Sequence, residues 1–214
     1  MPDTTHPSAG TPADPRIADV LGYWLGSAQP TDADALTRQP LWFAKSDATD
    51  AEIRTRFGPL VDEALSGALD GWAGSPLGRL ALILLLDQFT RNLFRGTPHS
   101  FAGDAQALQL ALDGMLAGHD TDPSVPTVAR IFFYLPLEHA EDSPLQAQSV
   151  AAFTQLHDLA PPELRGLLAG TLDYAHKHQD VITRFGRFPH RNPVLGRSST
   201  EAELAYLAQP GSGF

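Results

Sequence analysis

The chain has 214 residues, 43% hydrophobic and 19% charged, which is enough for one domain that buries roughly 70% of its unfolded surface. Its lack of cysteine excludes disulfides, thiolate metal sites, iron–sulfur clusters and cysteine nucleophiles, and suits a reducing compartment, with the cytoplasm as the expected location. A net charge of −10 argues against general affinity for nucleic acid or anionic membrane, and the longest apolar run, residues 80–86, falls far short of the roughly 18 residues of a membrane span.

Residues 1–13 are rich in Thr, Pro, Ser, Ala and Gly without apolar periodicity, and are expected to form a disordered leader to a single all-helical domain over residues 14–214. Asp14-Pro15 reads as an N-cap followed by proline at the first helical position, ahead of an apolar stripe through Ile17, Val20, Leu21 and Trp24. Start signals recur as capping boxes at Thr49/Glu52 and Thr200/Glu203, and as Ser-Pro pairs at Ser75 and Ser143. Each precedes apolar residues at helical spacing, and Gly71, Gly96, Gly118 and Gly186 stand where helices should stop. No stretch alternates with the period of a strand. The expected fold class is all-α, with about eight helices paired antiparallel through short connections.

The helix from Pro76 to about Arg95 is the most informative. Residues 80–86 are apolar around the whole circumference, so this segment should be central and buried. One face then turns polar, because at 100° per residue Asp87, Gln88, Arg91, Asn92 and Arg95 fall on the same side. Burying such groups is costly unless they are paired, so the face must meet a polar partner or a wet cavity. Guanidinium and amide donors at this density suit a carboxylate or phosphate ligand.

A second cluster, Glu138-His139-Ala140-Glu141, follows Pro136 at the end of an apolar segment. A histidine beside carboxylates is the arrangement a general acid or base needs, so Glu138, His139 and Glu141 are the candidate catalytic groups. A charged surface turn is the plain alternative.

The third cluster spans His176 to Arg197, where five basic residues oppose one acid. Phe185 and Phe188 would pin this segment to the core while His176, Arg184, Arg187, His190, Arg191, Asn192 and Arg197 reach a common anion-binding point. The alternative is that these arginines neutralise Asp87, Glu138 and Glu141 inside the fold as a structural salt-bridge network. His176 and His178, two apart on a helix, cannot chelate one ion as an i, i+4 pair would, so no metal site is expected. Phosphate-loop, dinucleotide-loop and nucleophile-elbow spacings are all missing, and no cofactor is expected. Trp42-Phe43 reads as packing or surface.

Five strings in order, LGYWLG, WF, LALILLLDQFTRNLFRGT, YLPLEHAED and HKHQDVITRFGRFPHRNPVLGRSSTEAE, spread over about residues 17–207, make the chain resemble domain-of-unknown-function family nine hundred and twenty-four. It departs from that pattern at Thr90, where proline is usual, and at Ala140, where serine is common. The resemblance implies an all-α fold similar to tetratricopeptide-repeat arrays, with no established activity. Such arrays often bind peptides or proteins, so a protein partner stands as the alternative to a small anionic ligand.

Overall fold

The computed structural model describes residues 14–213. The leader expected over residues 1–13 lies outside the described residues. Every regular element among the described residues is helical, and no helix is long and apolar enough to cross a membrane.

In chain order the α-helices are α1 (Pro15–Leu25), α2 (Asp32–Leu36), α3 (Gln39–Trp42), α4 (Asp47–Leu65), α5 (Pro76–Ile83), α6 (Thr90–Leu93), α7 (Asp104–Leu116), α8 (Arg130–Glu138), α9 (Ser143–Leu159), α10 (Arg165–Phe185) and α11 (Glu201–Leu207). A π-helical turn, Leu84–Phe89, joins α5 to α6 as one rod, so the described residues form ten helices rather than about eight. The short α2 and α3 account for the difference, being too brief to show an apolar period.

Local capping explains most boundaries. Asp14, Ser75 and Thr200 cap as their sequence context demands, each side-chain oxygen accepting a backbone N–H of the first turn. Two caps move. Ser46, not Thr49, caps α4, and Asp142, not Ser143, caps α9, in each case because an oxygen-bearing side chain further upstream reaches the orphan amide. Gly71 sits in a 3-10 turn, and the positive φ after α4 falls on Gly67 instead.

The rod formed by α5, the π turn and α6 runs through the centre. Leu80 to Leu86 are at most 1% exposed, and burying each such leucine contributes about 1.5–3 kcal/mol. α4 flanks the rod on one side and α7 with α8 on another. Trp24, Phe89, Phe132 and Trp42 interlock edge to face around it. Beyond α8, α9 and α10 pack along one another, and the segment after α10 returns toward the far end of the rod.

Candidate functional site

The polar end of the rod begins where its winding changes. A π turn holds an extra residue relative to an α turn and is frequent at functional sites. Here it contains Asp87 and Gln88. The hydroxyl of Thr90 donates to the Leu86 carbonyl at 2.7 Å. Gly103 lies so close that a Cβ there would come within 2.2 Å of the same carbonyl oxygen. The expected uninterrupted α-helix is therefore corrected, although the five polar residues still group together.

Asp87 is 1% exposed. Its Oδ1 accepts from His139 Nδ1 at 2.7 Å and its Oδ2 from Gln88 Nε2 at 2.5 Å, with Arg91 Nη2 3.6 Å away. Burial pushes this carboxyl up, but the His139 ring and the Arg91 guanidinium more than reverse that and hold it below the usual carboxylate range. An ionised carboxylate only accepts, so His139 Nδ1 carries the proton. Nε2 of His139 makes no hydrogen bond to any described residue. Burial keeps the ring neutral by lowering its pKa in spite of Asp87.

The arginines of this face are paired with acids from other helices. Arg91 donates to Asp104 at 2.8 and 3.2 Å. Arg95 grips Asp50 through Nε and Nη2 at 2.7 and 2.9 Å, and Asn92 donates to the same carboxylate at 2.8 Å. Arg191 approaches Asp104 at 3.6 Å, with its guanidinium over Phe188 and Phe101. Burial and the nearby Arg91 bring Arg191 down to about 10.

Glu138, at the end of α8, is 3% exposed. Its Oε1 lies 3.0 Å from His178 Nδ1, which is itself 2.9 Å from the Tyr174 carbonyl. A carbonyl accepts only, so Nδ1 of His178 is the donor. Oε2 of Glu138 has no hydrogen-bond partner among the described residues. Burial, with Asp87 nearby, pushes the Glu138 carboxyl up to about 8, and burial takes His178 down to about 3. At neutral pH the two are a carboxylic acid and a neutral imidazole. Gln146 fixes this corner by donating to the carbonyls of Glu138 and Ala140 at 2.6 and 2.8 Å.

These groups border one cavity of about 660 Å³, whose wall includes Gln88, Arg91, Asn92, Arg95, Glu138, His139 and His178. Trp42, Phe43, Ile131, Leu135 and Leu167 complete it, with Lys45 and Tyr174. Of the residues proposed from sequence, Asp87 lies directly behind His139, and Arg191 lies behind Arg91.

The rest form a separate clasp. Glu141 accepts both Arg197 Nη1 and Nη2, at 2.6 and 2.9 Å, and the Phe188 amide at 2.8 Å. Asn192 accepts from Arg197 and donates to Ser199. Arg187 grips Glu203 at 2.7 and 2.9 Å. Arg184 lies over Phe185 and Tyr206, His190 stands beside Phe188, and His176 is exposed. Glu141 and these C-terminal side chains therefore do not border the cavity, because each guanidinium found an acid or ring within its own neighbourhood.

Sequence reasoning left His178, Lys45, Asp50 and Asp104 out of the site, and gave Trp42-Phe43 a packing or surface role. A signal existed for two of them. His178 is in helical phase with the buried Leu168, Ala175 and Ile182, and His176 is not. Asp50 is likewise in phase with Ile53, Phe57 and Leu60.

Stability should therefore peak near pH 6.5. Unfolded Glu138 releases its proton near 4.5 and folded Glu138 near 8, so between those values the native state binds one more proton and stability falls as pH rises. His139, His178 and His190 are all depressed, the last two to about 3 and 4 by burial. Below about 6.5 the unfolded state gains protons on all three, so stability rises with pH there and outweighs Glu138. Urea titrations from pH 5 to 8 should show a decline above 6.5 of up to about 1.4 kcal/mol per unit, absent in Glu138→Gln. An unchanged slope in that variant would mean the carboxyl is already ionised.

A family model described as a bacterial protein of unknown function (DUF924) matches residues 20–211. Among solved structures, the chain is similar to ATU0120 from Agrobacterium tumefaciens, a protein of unknown function. The two are 36% identical with a TM-score of 0.75, over 91% of this chain and 99% of the other. Comparison with curated proteins finds no match. Matched over most of its length and through both the π-turn rod and the C-terminal clasp, the chain belongs to the DUF924 family of bacterial proteins of unknown function.

Proposed function

We propose that the cavity binds a small anionic molecule and moves a proton on it, with His139 as general base and Glu138 as general acid. One observation carries this reading: among the described residues, the Asp87–His139 pair leaves Nε2 of the wall residue His139 without a hydrogen-bond partner, beside a buried acid whose Oε2 also has none. Asp87 holds the ring in the tautomer that presents a lone pair at Nε2. His139 is neutral and Glu138 protonated near pH 7, so base and acid are in their working forms together. His139 would take a proton from the ligand or a bound water, and Glu138 would return one to an oxygen of the same ligand. Charge for the anion comes from Lys45, which lies on the cavity wall and makes no ion pair among the described residues. We assign the work to the cytoplasm, since a chain without cysteine loses nothing in a reducing compartment.

The test is a thermal-shift panel of phosphate esters, monocarboxylates and dicarboxylates. A member present at 100 times its dissociation constant should stabilise the protein by about 2.7 kcal/mol. Lys45→Ala should abolish that shift. His139→Gln, which keeps a donor toward Asp87, should fold normally, and turnover of the ligand should drop by about 100-fold or more. A panel without a hit, or a hit indifferent to both substitutions, would remove the proposal.

A further inference from the structure

The cavity wall is chemically mixed, and this bears on what it holds. Trp42, Phe43, Ile131, Leu135 and Leu167 supply an apolar wall with neither charge nor donor turned to the ligand, apart from the Trp42 indole, which is spent on the Trp24 carbonyl. A small polar metabolite would leave that wall wet. The cavity wall also carries ionisable groups, and its arginines are held in ion pairs. Asp50, Asp87 and Asp104 face Arg91, Arg95 and Arg191. Lys45 is the remaining cation on the wall and makes no ion pair among the described residues. A ligand head can thus meet a cation that no described acid pairs with. A phosphate dianion would carry a second negative charge without a second unpaired lysine or arginine on the wall to meet it.

Glu138 adds a second, independent mark. It is 3% exposed, borders the cavity, and its Oε2 has no partner among the described residues. A buried polar atom without a partner costs free energy unless a bound group supplies one. As an acid it donates, so the missing group is an acceptor oxygen. A carboxylate supplies such oxygens, and Lys45 on the same wall supplies a charge of opposite sign.

We propose that the ligand is an amphiphilic monocarboxylate, its carboxylate taken by the polar groups of the wall, Lys45 among them, and its alkyl or aryl tail by the apolar residues Trp42, Phe43, Ile131, Leu135 and Leu167. This rests on the pocket reading above and narrows it. The measurement is calorimetric titration of the full chain with butyrate, hexanoate, octanoate and decanoate, alongside octanol, octyl phosphate and inorganic phosphate. Each added methylene should tighten binding about threefold to fourfold until the wall is covered. Octanol should bind about tenfold or more weakly than octanoate, since it lacks the charged acceptor. Octyl phosphate should also be weaker than octanoate. Lys45→Ala should weaken octanoate and leave octanol unchanged, and the His139 ring ¹⁵N signals should shift with octanoate in the wild type.

Affinity independent of chain length, octyl phosphate binding more tightly than octanoate, or octanoate binding indifferent to Lys45→Ala would each overturn the proposal. If the carboxylates fail while a short polar anion stabilises the wild type but not Lys45→Ala, the amphiphile is wrong and the anion pocket stands. If nothing in either panel binds, both fall.

Discussion

Asp87→Ala is expected to cost about 3–5 kcal/mol of stability, the usual range for removing one partner of a buried ion pair. The side chain is 1% exposed and serves His139, Gln88 and Arg91 at once. Its loss leaves the His139 Nδ1 proton and the Gln88 amide without their acceptor, and Arg91 with Asp104 as its one carboxylate among the described residues, beside the carbonyls of residues 87 and 100. Asp87→Asn should be milder, because its remaining carbonyl oxygen can still accept from His139 while the attraction for Arg91 is gone. The order wild type, Asn, Ala in urea midpoints is the result to check. The Ala variant should also free the His139 ring to choose either tautomer, so NMR should report mixed Nδ1 and Nε2 protonation where the wild type has one form. A loss below about 1 kcal/mol, the range of an exposed pair, would mean water already serves this carboxylate and no buried dyad exists.

Gly103→Ala is expected to cost about 3 kcal/mol, at the upper end for forcing extra volume into a packed interior. Backbone conformation is not the reason. Gly103 has φ −90° and ψ −6°, which any residue adopts. The cost is steric: a Cβ would stand 2.2 Å from the Leu86 carbonyl oxygen and 2.9 Å from its carbon, both backbone atoms of the π turn that cannot rotate away. Either α7 withdraws, straining the Arg91–Asp104 pair, or the π turn rewinds and moves Asp87. Hydrogen exchange should accordingly quicken over residues 87–92. Gly71→Ala, where nothing lies within 4 Å of the added atom, is the matched control and should stay within about 0.5 kcal/mol of wild type. Equal effects at the two positions would refute the close approach.

These variants probe the π turn, and it is the feature the sequence conceals best. Leu84 to Phe89 reads as perfect α-helix, with no glycine, and the one unusual residue is Thr90. Its hydroxyl serves the Leu86 carbonyl, at the position where the family resemblance leads one to expect proline. Helical spacing still grouped Gln88, Arg91, Asn92 and Arg95 on one cavity wall, with Asp87 behind it against His139.

Convergence of the three polar clusters was legible only in part. Arg191 does return to the polar end of the rod, sharing Asp104 with Arg91. Arg187 and Arg197, equivalent to it by composition, are held instead by Glu203 and Glu141. Glu138 and Glu141 stand three residues apart yet differ completely. One is a buried acid on the cavity, the other an ionised carboxylate under Arg197.

Helix identity, most caps, the all-round apolar rod and the polar character of its end follow from the sequence alone, because they depend on residues within one or two turns of each other. Which acid meets which arginine, whether a carboxyl keeps its proton, and that Trp42, Lys45 and His178 face the same space as His139 were decided by tertiary packing. Those outcomes depend on distances of a few ångströms between segments far apart in the chain, and on how much water is left between them, neither of which a periodicity encodes.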